Sequence, residues 1–418
     1  MLQSASFEND NLNSVGPIRI QRWISTFLLL FIAFSFLVPW IALSRAFFFA
    51  GVLPLIFWVC VKRDARAGIS DRSGWFAIGF IGFVAVATFI PEGVIADRQF
   101  QVVRWAFSTA VFMLAVLAAS ERWLNQPLLF ARIFMAVVIA SGAEAFAYYL
   151  WHDMYPARLE GAGFMGHPIL GPSALISVWA IGMTLFRLGE NRERLDQVIM
   201  IVSFLILFAV TIFSQSRGPL VALLAFILIC LFAVFWLESR GKSWHVGFWV
   251  LFGAMLFGAG SLFLFDDLIA RMLGRGFSYR PEIWLAVFNN PPEIIWIGEG
   301  MGTDFRNSSA GKMLMVDSGL SIKHPHNLFL SVFHYAGIIG LTLFMVLLTW
   351  ILVRICRLTQ GAGRQFRLFA FGLFVLPLML NMTDGHRVVA PPSTDWMFSW
   401  LLLMFLIGLV RHFERQDA

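Results

Sequence analysis

Long, uninterrupted apolar stretches constrain this chain more than any other feature of its sequence. Runs of roughly 17–20 apolar residues recur along it without the alternation of a half-buried strand. Inside a bilayer, each backbone N–H and C=O must be paired internally, which leaves helices and closed barrels. Charged residues make up only 13% of the 418 residues, whereas a soluble domain has about 25%. The sequence therefore predicts an all-α integral membrane protein.

The predicted fold has about twelve transmembrane helices, each long enough for the bilayer core. The apolar runs place them at 23–41, 46–61, 74–90, 104–120, 127–151, 168–186, 198–213, 219–236, 246–265, 337–355, 368–382 and 396–410. Pro39 with Ser44–Arg45 predicts a hairpin between the first two. The predicted organisation begins with a cytoplasmic segment (1–22) and helices one to nine (23–265). A large periplasmic loop with site residues (266–336), helices ten to twelve (337–410) and a cytoplasmic tail (411–418) follow.

The Lys and Arg residues predict the orientation of this bundle. With the N-terminus inside, most of the 31 basic residues fall in or next to cytoplasmic loops, as the positive-inside rule requires. Residues 1–22 are largely polar and precede no small-residue cleavage site, so the first helix is expected to be retained. Both termini are then inside, and the segments 152–167 and 266–336 are outside.

Several arginines stand in these outer segments and turns. Arg217 lies in SQSRGP, and Arg158 lies in ARLEGAGFMGHP beside glycines that allow close backbone approach. Arg275 and Arg280 lie in GRGFSYRPEIW, before a predicted helix PEIWLAVFNN. Guanidinium groups bind phosphate oxygens through forked hydrogen bonds, so their convergence would suit a diphosphate. The alternatives are an interfacial Arg217 beside lipid phosphate, a pair of Arg158 with Glu160, and ion pairs of the other two arginines within their loop.

The segment HPHNLFLSVFHYAGIIG carries the most distinctive polar residues. His324 and His326 lie just before a predicted helix that begins near Asn327. Imidazole near neutral pH can take a proton from a hydroxyl. One alternative is helix capping by Asn327 with incidental histidines. The other is metal binding through His-x-His, which is disfavoured because no acidic cluster accompanies the pair in sequence. His334 is expected to be a packing or interfacial residue.

Two further features belong to the outer side. Glu144 lies within the fifth predicted span, where an acid is a functional candidate by default. Its place near the outer half favours a structural role, such as neutralising an arginine. Asp384, His386 and Arg387 in TDGHRVVAPPSTD form the last outer loop and are expected to line the same cavity.

At these motifs the chain resembles the O-antigen ligase and polymerase superfamily of bacterial inner-membrane glycosyltransferases. The resemblance rests on the span plan, on SQSRGP, on RGFSYRPEIW followed by IGEGMG, and on HPHNLFLSVFHYAGIIGL. It implies a C-type glycosyltransferase-like fold that uses no metal or cofactor and takes an undecaprenyl-diphosphate-linked glycan as donor. Arg217 and Arg280 match arginines that grip the diphosphate, and His326 matches the histidine that assists the acceptor hydroxyl. The substrate-binding candidates are Arg158, Arg275, His324, Asn327 and Arg387.

The resemblance favours an inverting ligase that moves the glycan to a sugar hydroxyl of lipid A-core in lipopolysaccharide assembly. A polymerase that joins lipid-linked repeat units is the alternative. A lipid-linked glycan transporter is disfavoured, because Glu144 is almost the only acid within a predicted span. The implied location is the bacterial inner (plasma) membrane with a periplasmic active site. The expected partners are the donor, lipid A-core and membrane lipids, with no nucleic acid. Lys323 and Arg387 are candidates for binding phosphates of the acceptor.

Overall fold

The chain forms a bundle of long apolar helices. A computed structural model describes residues 4–62, 68–92, 94–238, 274, 279–359, 361–385 and 387–416, and these residues contain helices but no strand. The helices are α1 (Ser4–Leu37), α2 (Ile41–Val61), α3 (Arg72–Ala87), α4 (Ala96–Asn125), α5 (Pro127–Trp151), α6 (Leu170–Leu188), α7 (Arg194–Phe213), α8 (Arg217–Glu238), α9 (Arg280–Asn289), α10 (Ser309–Ser318), α11 (Leu328–Cys356), α12 (Gly361–Asp384) and α13 (Trp396–Gln416).

Most of these helices have the length and composition of membrane spans. Within the described part of the chain, nine are long and apolar enough to cross a membrane. The shorter apolar helices Arg72–Ala87 and Arg217–Ala233 correspond to two more predicted spans. The predicted span 246–265 lies outside the described residues, so the count of twelve stays a prediction. The all-helical fold agrees with the predicted integral membrane protein.

The break between the first two spans differs from the prediction. α1 ends at Leu37 and α2 begins at Ile41, because Pro39 has no N–H to continue the helical hydrogen bonds. The predicted boundary at Ser44–Arg45 is wrong, since both residues are helical. The Ser44 hydroxyl donates to the Ile41 carbonyl (2.9 Å), which satisfies it within the helix.

The tenth predicted span begins earlier than its apolar run. α11 begins at Leu328, and the predicted start at 337 coincides with a kink at Gly337 (φ 66°, ψ −166°). This conformation is open to glycine and closed to most other residues. Residues 328–336 therefore form the first turns of one bent helix, which begins next to Asn327 as predicted.

The IGEGMG segment packs backbone to backbone against this kink. The Glu299 and Gly300 amides donate to the carbonyls of His334 and Tyr335 (2.8 and 3.0 Å). A Cβ at Gly337 would lie 2.3 Å from the Trp296 carbonyl carbon. The IGEGMG segment and the HYAGIIG segment thus pack directly against each other, and this contact fixes the first turns of α11.

The described part of the large predicted loop, 266–336, is folded. The predicted helix PEIWLAVFNN is present as α9. The side chains of Ile283, Val287, Phe305 and Leu314 form a small apolar core with Leu330 of α11. α9 and α10 are thereby held over the beginning of α11.

The far end of the bundle is fixed by ion pairs. Asp71 accepts from the Ser73 and Gly74 amides and caps α3. It also pairs with Arg354 at the end of α11 (2.9 Å), and Arg354 contacts Glu414 of α13. These contacts hold the helix ends opposite to the beginning of α11.

α13 is the central helix of the bundle and positions the segment that follows α12. Its residues are buried almost throughout. The indole N–H groups of Trp396 and Trp400 donate to the carbonyls of Ala390 and Val388 (3.1 and 2.8 Å). The end of α12 and the chain after it are therefore tied to a rigid core.

Candidate functional site

Asp384, the last residue of α12, joins two of the predicted site residues. Its side chain is 8% exposed. Nη2 of Arg280 donates to both carboxylate oxygens (3.0 and 2.9 Å), and Nε of Arg280 donates to the Thr383 carbonyl (2.7 Å). Nδ1 of His326 lies 3.3 Å from Oδ1 of the same carboxylate. The structure thus brings Arg280 and His326 together through one carboxylate.

The His326 side chain contacts Asp384 through Nδ1 and is partly exposed. The ring is 30% exposed, so solvent or a substrate can reach it. With its proton on Nδ1, the imidazole donates to Asp384 and leaves Nε2 as an acceptor. An aspartate in this position favours that tautomer, because its carboxylate accepts the hydrogen bond from Nδ1–H.

Asn327 serves the helix that follows. Its side-chain oxygen accepts from the amides of Phe329 and Leu330 (2.9 and 3.2 Å), and the residue is buried. The expected helix capping by Asn327 is therefore present, and its assignment to substrate binding stays a prediction. The neighbouring His326 contacts Asp384.

Arg158 braces the turn that carries Arg217. Its Nε donates to the Ser214 carbonyl and its Nη2 to the Ser216 hydroxyl (both 2.8 Å). The Leu159 amide donates to the Phe213 carbonyl (3.0 Å), next to the same turn. Arg217 is the first residue of α8 and is half-buried. Arg158 thus supports the SQSRGP turn, and its assignment to substrate binding stays a prediction.

This turn packs directly against the end of α12. A Cβ at Gly218 would lie 2.5 Å from the Thr383 hydroxyl oxygen, so only glycine permits the approach. Thr383 in turn accepts from Arg280. The backbone next to Arg217 therefore lies against Thr383, whose carbonyl binds Arg280 and whose neighbour Asp384 contacts His326. These segments are far apart in sequence.

Three residues in or next to this cluster have an unusual backbone conformation. Gln215, Tyr279 and His326 have φ of 52°, 59° and 52°, in the left-handed region that residues with a Cβ avoid. Each lies at, or within two residues of, a predicted site residue. Such conformations collect where the surroundings fix a side chain for function.

Glu144 has a structural role, as the sequence favoured. Its two carboxylate oxygens accept from the Ala162 amide (3.2 and 3.0 Å). The partner shown is a backbone amide instead of the expected arginine. Gly161 lets the loop approach, since a Cβ there would lie 2.9 Å from the Glu144 carboxylate.

The other predicted residues lie in a separate cavity or beyond the described chain. His324 and Arg387 line a cavity of about 410 Å³ together with Lys323. The ring of His324 lies 4.0 Å from that of His326, so the cavity adjoins the first cluster. Arg275 and His386 lie outside the described residues. Among the residues described, no group of three or more His, Cys, Asp or Glu could hold a metal ion.

From the sequence, Asp384 is expected only to line the cavity, with no partner assigned. The signal was its position, since a lone acid at the end of an apolar span is costly unless it is paired. The sequence does not show which of the many loop arginines and histidines is the partner. The structure gives both partners from segments before the tenth predicted span.

The fold and this cluster define a multi-pass membrane protein with arginine, histidine and aspartate side chains gathered at one end of an apolar bundle. Residues 202–345 match the family model Wzy_C, described as O-antigen ligase. Over 283 residues the chain is 28% identical to a protein of Pseudomonas aeruginosa named O-antigen ligase. This alignment covers 66% of the chain and 62% of the relative's length. The matches confirm the resemblance to the O-antigen ligase superfamily.

Proposed function

We propose that this protein is an O-antigen ligase, which transfers an undecaprenyl-diphosphate-linked glycan to a sugar hydroxyl of lipid A-core. The observation that carries the proposal is the contact of Arg280 and His326 with one buried carboxylate, that of Asp384. Arg217, Arg280 and His326 all lie within the segment that matches the O-antigen ligase model. The reaction is proposed to need neither a metal ion nor a cofactor.

In this proposal His326 is the general base. Nε2 takes the proton of the acceptor hydroxyl while Nδ1–H donates to Asp384. The acceptor oxygen attacks the anomeric carbon of the donor's first sugar. The bond from that carbon to the diphosphate oxygen breaks, and the diphosphate leaves with the bonding electrons. Attack from the side opposite to the leaving group inverts the anomeric configuration.

The arginines oppose the charge that develops on the departing diphosphate. Nε and Nη2 of Arg280 are already engaged by Thr383 and Asp384. Within the described residues, Nη1 of Arg280 makes no hydrogen bond, so this nitrogen is the one assigned to the diphosphate. Arg217, held by the braced turn, supplies the second guanidinium.

A polymerase would bind the donor diphosphate and activate the acceptor hydroxyl in the same way, but its acceptor would be a second lipid-linked repeat unit. A strain lacking the gene, examined on a lipopolysaccharide gel, separates the two. The ligase proposal predicts loss of all capped lipopolysaccharide while long polymer accumulates on undecaprenyl diphosphate. A core that bears a single repeat unit would replace the ligase proposal with the polymerase.

The site is proposed to face the periplasm, with both termini in the cytoplasm. Cysteine is introduced singly at Val316 or Thr359, both exposed, after Cys60, Cys230 and Cys356 have been replaced. An impermeant thiol reagent applied to intact spheroplasts is expected to label Val316→Cys and not Thr359→Cys. Lysed cells, in which both should react, provide the control. Labelling of Thr359→Cys alone in intact spheroplasts would reverse the orientation.

A further inference from the structure

A positively charged cavity adjoins the proposed base but lies apart from the arginines assigned to the diphosphate. It measures about 410 Å³, within the range of about 300–1,000 Å³ typical of small-molecule sites. The first turns of α4, the loop after IGEGMG, the segment before His326 and Arg387 line it. It is large enough for a sugar with a phosphate group.

The charge of this lining is strongly unbalanced. Four cationic side chains, those of Arg98, Arg306, Lys323 and Arg387, face one carboxylate, that of Asp304. Asp304 is already paired with Arg306. The hydrogen bond from that guanidinium holds the pKa of Asp304 below its usual value, so the carboxylate stays ionised. The remaining three cations are therefore the charge that the cavity offers to a ligand.

Among the described residues, Arg98, Lys323 and Arg387 have no carboxylate within 4.0 Å. Arg98 donates to the side-chain oxygen of Gln101 (2.8 Å). Arg387 lies over the ring of Trp105, with 5.6 Å from guanidinium carbon to ring centroid. A ring face attracts a guanidinium without cancelling its charge, so Arg387 is positioned and keeps its N–H donors for an anion.

The cavity also lies close to the proposed base. His324 is part of its wall, and the His324 and His326 rings are 4.0 Å apart. Asp384, which contacts His326, precedes Arg387 by three residues in the chain. A saccharide whose phosphate is bound among the cations would thus have its neighbouring hydroxyl groups near His326.

We propose that this cavity binds a phosphorylated sugar of the acceptor, with Lys323 and Arg387 as its main phosphate ligands and Arg98 as a third. The proposal rests on the proposed ligase function for the identity of the acceptor. It assigns the donor diphosphate and the acceptor phosphate to different cations. Acceptor recognition is therefore separable from donor recognition by substitution.

Direct binding to the purified full-length protein tests this assignment. The probes are the oligosaccharide released from lipid A-core by removal of its acyl chains and the same oligosaccharide after phosphatase treatment. Calorimetry in nanodiscs of phosphatidylcholine is expected to give a Kd about tenfold lower for the phosphorylated form, the factor of one charge-assisted hydrogen bond. The double variant Lys323→Gln/Arg387→Gln is expected to bind both forms equally weakly.

Matched controls separate this site from general charge and from the donor site. Lys312→Gln removes one exposed cation from α10, outside the cavity lining, and is expected to keep the preference. Arg280→Ala should keep it as well. Equal Kd values for the two oligosaccharides in the wild-type protein would overturn the proposal, as would a preference that survives in the double variant.

Two further measurements separate this proposal from other interpretations of the cavity and from the proposed function. If the cavity instead serves an anionic lipid headgroup, nanodiscs with phosphatidylglycerol will abolish the phosphate preference, and that result would also overturn the proposal. If the wild-type protein shows the preference but transfers no glycan to lipid A-core, the cavity assignment stands and the proposed ligase function fails.

Discussion

Replacing His326 by alanine is expected to lower the rate of glycan transfer by about 100- to 10,000-fold, the usual contribution of a general base. The variant removes the acceptor nitrogen and leaves the Arg280–Asp384 pair in place. The measurement is the initial rate with purified protein, an undecaprenyl-diphosphate-linked glycan and lipid A-core.

Two other histidines provide the comparison. His324→Ala removes a neighbouring ring and a cavity wall and should lose far less activity than His326→Ala. His334→Ala alters a buried ring that packs against Phe305, so its effect should fall on protein yield more than on rate. A His326→Ala rate within tenfold of the wild type would remove His326 from the role of base.

Substitution of Arg280 by alanine is expected to lower transfer by about a hundredfold, as loss of one contact at a developing anion does. It also leaves the buried Asp384 carboxylate without its guanidinium partner. Arg280→Lys should restore little, because one ammonium group cannot reproduce the fork to the Thr383 carbonyl and the Asp384 carboxylate. Rates are measured with protein that elutes as the wild type does from a sizing column.

Two other arginines serve as comparisons for this experiment. Arg45→Ala removes an exposed arginine of α2 and should leave the rate unchanged. Arg217→Ala should lower the rate about as much as Arg280→Ala does, since both guanidinium groups are assigned to the diphosphate. Near-normal transfer by either site variant would take that arginine out of the site.

The helical architecture follows from the sequence because the bilayer allows few alternatives. Apolar runs of this length, which lack internal alternation, must form helices, and eleven predicted spans have counterparts among the described helices. The differences from the predicted spans lie at the ends of helices. The tenth span is predicted to start at 337, whereas the helix begins at Leu328, next to the predicted helix start near Asn327, and continues through a bend at Gly337.

The candidate site was only partly predictable. The choice of Arg280 and His326 came from motif resemblance, and residue chemistry explains why such side chains suit a diphosphate and a hydroxyl. Their shared partner, Asp384, comes from a distant helix end, and spacing along the chain carries no information about that contact. The packing of the helices sets the distances from Asp384 to Arg280 and His326, and no single sequence motif predicts that packing.

Two other candidates make structural hydrogen bonds, and their assignment to substrate binding stays a prediction. Arg158, for which ligand binding and a pair with Glu160 are the alternatives, donates to the backbone and side chain of the SQSRGP turn. Asn327, a substrate-binding candidate, caps α11 with its side chain. Both roles involve groups that sequence alone does not place, namely a carbonyl in another loop and free amides at a helix start.

The identity of the acceptor is the central claim, and reconstituted transfer tests it most directly. Purified protein in proteoliposomes is given one labelled undecaprenyl-diphosphate-linked glycan with lipid A-core and, separately, with a second lipid-linked repeat unit. Both reactions contain EDTA, since no metal is invoked. The account predicts labelled lipid A-core and no elongated lipid-linked product. Elongation of the lipid-linked unit with lipid A-core left unlabelled would contradict it.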